Sequence, residues 1–103
     1  MLEKRLKDKL TKENLWLYIL TLLEKKEMYG YELRDSIKEE FGFLPGTVTA
    51  YRVLYALQKN GLVVSSKKEV KSRERKYYDI TPAGKKELAM GKQVLRSIIE
   101  KLN

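Results

Sequence analysis

A chain of 103 residues, 43% of them apolar, has the material for one packed domain, which excludes a disordered basic tail. Its 22 Lys and Arg against 14 Asp and Glu leave a net charge of +8, which favours a polyanionic partner, nucleic acid or an anionic membrane surface, against the plain alternative of a charged, heat-adapted surface. There is no Cys and no His, so disulfides, thiolate metal sites and the ordinary near-neutral acid-base group are missing, and neither an enzyme, a metal nor a cofactor is expected.

The N-terminal MLEKRLKDKLTKEN has no apolar signal-peptide core, and the densest apolar run, LWLYILTLL, is too short to span a bilayer. A cytoplasmic protein with no membrane partner is the expectation. In residues 1–11, Leu2, Leu6 and Leu10 form a narrow stripe among charges, an amphipathic extension. Thr11 reads as the N-cap of a first main helix, in which Trp16, Ile19, Leu20 and Leu23 recur at helical spacing and Leu15, Leu17 and Leu22 widen the apolar face. A second helix runs from Tyr31 to Phe41, with Gly42 as its left-handed stop. Pro45-Gly46-Thr47 then opens a third helix, Thr47 to Asn60.

In that third helix Val48, Tyr51, Leu54, Tyr55 and Leu57 read as the packed face, leaving Thr49, Arg52 and Lys59 free around small Ala56. LVVSSKK and RKYYDIT read as two strands of a hairpin whose tip is KSRER. Alternation puts Arg75 and Tyr77 on one face and Lys76 and Tyr78 on the other, with one tyrosine in the core. Thr81-Pro82 is a helix start, and Leu88, Leu95, Ile98, Ile99 and Leu102 follow it at about seven-residue spacing, as in a dimer seam, with an ordinary amphipathic helix packed on its own domain as the alternative. Gly91 in that helix marks a bend or a close helix approach.

Helix, helix, helix, strand, charged hairpin, strand, helix is the order of a winged helix-turn-helix. The expected fold is therefore mainly α with a small β-hairpin: an extension (1–11), a winged helix-turn-helix (12–80) and a C-terminal dimerisation helix (81–103). The third helix would enter the major groove, with Thr47, Thr49, Arg52 and Lys59 toward the DNA and Arg52 suited to guanine O6 and N7. For Thr47, simple N-capping is an equal alternative. Lys67, Lys68, Lys71, Arg73, Arg75 and Lys76 of the hairpin, against two glutamates, carry +4, half of the chain's net charge, and would meet phosphates.

Met28-Tyr29-Gly30-Tyr31-Glu32-Leu33, the spacing of Tyr51, Leu54, Leu57, Gly61 and Leu62, and the run Arg75 to Gly84 together resemble the PadR-like family of transcriptional regulators. The resemblance spans about Leu15 to Leu88. It implies a homodimeric winged-helix protein bound to double-stranded DNA, usually a repressor, of the short branch with one C-terminal helix. Around Tyr51 the chain departs from the family's pattern, with Val48-Thr49-Ala50 before and Arg52 after, so no base preference is carried over. The resemblance also implies a small aromatic effector; Trp16, the one tryptophan, is its candidate contact, with core or interface packing as the default role. Two other functions fit the same pattern: a winged-helix protein-interaction module, and a non-specific architectural DNA-binding protein.

Overall fold

The structure, a computed structural model, describes residues 1–103 as five α-helices and one three-stranded antiparallel sheet. Helix α1 (Leu2–Leu10) buries nothing; its lysines pair with acids one turn on, Lys4 with Asp8 at 3.1 Å and Lys9 with Glu13 at 3.0 Å. Its end is tied to the body by the Tyr18 hydroxyl, which donates to the Leu10 carbonyl at 2.6 Å. Thr11 does not cap the next helix. Its hydroxyl donates back to the Lys7 carbonyl at 2.8 Å, a local bond open to any threonine four residues on, and a 3₁₀ turn (Lys12–Asn14) intervenes.

Helix α2 (Leu15–Lys25) is the centre of the molecule. Its apolar residues go nearly all the way round, so Leu15, Ile19, Leu20, Leu22 and Leu23 are all buried, and it touches helices on several sides as well as the sheet. Helix α3 (Gly30–Phe41) adds Leu33 and Ile37 and stops at Gly42, whose φ of 81° is left-handed. Helix α4 (Thr47–Lys59) adds Ala50, Leu54 and Leu57. No helix is long and apolar enough to cross a membrane.

The sheet holds one strand more than the hairpin. Met28–Tyr29 forms β1, paired with β3 (Arg73–Ile80) through Met28 opposite Tyr78 and Tyr29 opposite Tyr77; β2 (Val63–Val70) lies on the other side of β3. The hairpin register runs from Val63 opposite Ile80 to Val70 opposite Arg73, so the tip is the dipeptide Lys71-Ser72 alone and Arg73 already belongs to the strand. Tyr78 is the core tyrosine, on the same face as Val63 and Met28, while Tyr77 stands on the outer face.

Helix α5 (Pro82–Leu102) starts as its sequence dictates. The Thr81 hydroxyl accepts the Gly84 amide at 3.0 Å and donates to the Gly61 carbonyl at 2.7 Å, with Pro82 in the first turn. Thr81→Ala removes both bonds and is expected to lower stability by about 1–2 kcal/mol, read in thermal melts as a fall of roughly 5–10 °C. Further along, a Cβ on Gly91 would stand 2.7 Å from the Trp16 ring and 2.9 Å from Leu17, so this glycine marks a close approach of α5 to α2.

Candidate nucleic-acid interface

Helix α4 turns its small and branched residues inward, and the core takes Ala50, Leu54 and Leu57 with Val53 at its edge. The opposite face therefore carries Val48, Arg52, Tyr55 and Lys59, at i, i+4, i+7 and i+11. This corrects the expected packed face: Val48 is 70% exposed and Tyr55 69%, and both stand in the same row as Arg52 and Lys59. The aromatic at helical spacing belongs here to the outward row, because Ala50 takes the inward position that the first tyrosine was assigned. Tyr51 lies between the two faces, its ring edge-on to Tyr31 at 6.3 Å.

Arg52 and Lys59 are exposed and pair with no carboxylate. The N-cap of α4 is Gly46, not Thr47, and no side chain caps the helix, so Thr47 and Thr49 sit exposed in a first turn with open amides. Free amides, two hydroxyls and a guanidinium one turn on can approach an anionic groove together.

The hairpin distributes its six cations unequally. Lys67 pairs with Glu74 at 3.5 Å and Lys68 with Glu27, whereas Lys71, Arg73, Arg75 and Lys76 have no carboxylate partner. On the outer face Arg75 stacks on Tyr29 at 4.3 Å, Tyr29 meets Tyr77 edge-on at 5.5 Å, and Lys68 covers Tyr77 at 5.3 Å. This ladder ties the wing to β1 and leaves Lys71 and Arg73 projecting at the tip.

The expected dimer seam divides. Leu88 is 1% exposed and belongs to the chain's own core, because the first turns of α5 lie against Leu62 and the sheet; it is not free for a partner. Leu95 is half-buried beside α2, while Ile98, Ile99 and Leu102 are exposed, joined by Met90 and Val94, which heptad counting passed over. Trp16 is half-buried and borders a groove of about 330 Å³ that also contains Arg52, Val53, Leu57, Leu62 and Glu87. The candidate effector contact and the candidate base-reading arginine thus share one groove.

Comparison with known proteins gives the family of the chain. Residues 19–90 match the model of the transcriptional regulator PadR-like family. The chain is 30% identical over 96 residues to the replication termination protein of Bacillus subtilis, covering 82% of this chain and 79% of that protein. A PadR family transcription regulator from Clostridium difficile superposes with a TM-score of 0.77 at 33% identity, over 85% of this chain and 93% of that one. Bacillus subtilis PadR, solved in complex with operator DNA, superposes with a TM-score of 0.67 at 32% identity, over 73% of this chain and 44% of that one. With the fold, the motifs and the family match in agreement, the chain belongs to the PadR-like family of transcriptional regulators, which are winged-helix proteins and not enzymes.

Proposed function

We propose that the protein is a homodimeric, sequence-specific DNA-binding regulator, a repressor, acting on a near-palindromic operator. The observation that carries this reading is the outward row of α4, where Arg52 stands exposed and unpaired one turn on from an uncapped first turn and Lys59, also unpaired, ends the row in the last turn. Two such helices, related by the dimer axis, would address half-sites about 34 Å apart, one turn of the duplex. The tip cations would bind phosphates, and a flat aromatic effector in the groove between Trp16 and Arg52 would act on the reading helix directly.

Footprinting on genomic fragments at two salt concentrations tests the reading. A discrete protected site with two symmetric halves is expected; uniform coverage points to an architectural protein, and no protection to an interaction module. Arg52→Ala should lose about 1–3 kcal/mol at one base position and relax preference there. Lys71→Ala or Arg73→Ala should instead weaken all sequences alike and shallow the salt slope by about one. Equal losses on operator and random duplex for Arg52→Ala would remove its reading role. A second reading, replication termination, is favoured by the likeness to the Bacillus protein, and sites that lie away from transcription starts would support it.

A further inference from the structure

Between the wing and the two helices of the helix-turn-helix lies a cleft of about 230 Å³, bordered by Tyr29 of β1, Gly30 and Tyr31 of α3, Tyr51 of α4, and Glu74, Arg75, Lys76 and Tyr78 of β3. Its walls are unusually rich in phenol hydroxyls. Tyr78 is 5% exposed, and its hydroxyl makes no hydrogen bond within the chain; the one tyrosine hydroxyl that does belongs to Tyr18. Since no polar side-chain atom is sealed from the surface without a partner, the Tyr78 hydroxyl opens onto this cleft.

Tyr51 reaches the same place from α4. A Cβ on Gly30 would stand 2.6 Å from Tyr51 Cε1 and nearer still to the hydroxyl, so that phenol lies against the first residue of α3. The N-cap of α3, Tyr29, supplies no side-chain hydrogen bond, and the first-turn amides keep their partial positive charge. Burial raises the Tyr51 and Tyr78 hydroxyls above the usual tyrosine range; charge on Tyr31 would raise Tyr51 further, and charge on Tyr51 would raise Tyr78. The Tyr51 and Tyr78 hydroxyls therefore remain protonated donors at physiological pH, and the Tyr31 ring, edge-on to Tyr51 at 6.3 Å, borders the same cleft.

The cations complete the set. Lys76 stands 5.6 Å from the Tyr78 ring on the same sheet face, with no carboxylate partner, and Arg75 is held beside it over Tyr29. One acid, Glu74, lines the cleft and is paired with Lys67 at 3.5 Å, and Glu32 is paired with Lys26 at 3.4 Å. Phenol O–H groups, helix amides and an ammonium outnumber the one carboxylate of the lining, which Lys67 neutralises, and the complement of such a donor-rich cluster is an acceptor-only anion.

We propose that this cleft seats one backbone phosphate of bound duplex DNA, held by the hydroxyls of Tyr31, Tyr51 and Tyr78, the N-terminus of α3 and Lys76. The proposal rests on the DNA-binding reading above. Duplex backbone is the source because the cleft lies between the two elements, α4 and the wing, that reach toward the groove.

Tyr51→Phe/Tyr78→Phe keeps both rings and removes only the hydroxyls. Titrated on a duplex selected from random sequence and on an unselected one, this variant is expected to bind about tenfold more weakly to both, with its melting temperature unchanged. Lys76→Gln should lower the salt slope by about one on both duplexes. Unchanged affinity in the double variant, while Lys71→Ala and Arg73→Ala still lose theirs, would overturn the phosphate seat and leave the DNA-binding reading standing. A loss confined to the selected duplex would make the tyrosines base contacts and overturn it as well. Failure of the wild-type protein to bind either duplex would remove both readings together.

Discussion

Gly84→Ala is expected to destabilise the protein by about 3 kcal/mol, a large part of the 5–15 kcal/mol by which such domains are stable. A Cβ at this position would stand 2.8 Å from Ile80 Cγ1 and closer again to the carbonyl oxygen of Leu62. That carbonyl cannot move aside, because it accepts the Thr81 amide at 3.1 Å and so joins the end of α4 to the start of α5. The remaining relief is to lift α5 as a whole, which would draw Leu88 out of the core. Circular-dichroism melts of Gly84→Ala beside Ala83→Ser, an exposed neighbour, give the test. A loss under 1 kcal/mol would mean that the α4–α5 junction is looser than its geometry.

Val94→Glu/Ile98→Glu is expected to leave a folded monomer that binds operator DNA at least 100-fold more weakly. Both side chains are more than half exposed in the single chain, so a glutamate there meets water and costs the monomer's fold little. Across a dimer axis the same residues would face their copies, and four carboxylates would replace an apolar seam. Two half-sites bound through one dimer gain about 10²–10⁴ over one alone, and this is the factor that the monomer forfeits. Sedimentation would read the halved mass, and melting should cease to depend on protein concentration. An unchanged mass would place the dimer contact away from this stripe.

The helices were legible because their apolar spacing and stops agree: α3 and α4 fall within a residue of the spans that periodicity predicts. The Thr81-Pro82 start was legible for the same reason, since a capping hydroxyl and a proline at the first helical position act locally. What the sequence hid depends on distant partners. Strand β1 is two residues long and exists only because Tyr77 and Tyr78 come to lie opposite it. Leu88 reads as seam before core, and its place in the core follows from Gly84 pressing α5 onto Leu62. Tyr55 reads as core until Ala50 and Leu54 take the inward positions. The tyrosine cleft had one visible sign, the Tyr29-Gly30-Tyr31 of the first motif, but its members come from four elements that only folding assembles.

At the wing tip, Lys71 and Ser72 hold φ values of 53° and 62°, the pair of left-handed residues of a type I′ turn. Asparagine followed by glycine is the natural occupant of that turn, and an L side chain without such leeway costs roughly 1–2 kcal/mol there. The chain thus carries a conformational handicap at the one point of the hairpin farthest from its core. What it has in exchange is an ammonium on the outermost residue, so reach toward an anion and ease of folding are opposed within a single dipeptide. Lys71→Asn would give a more stable wing with a shorter electrostatic arm.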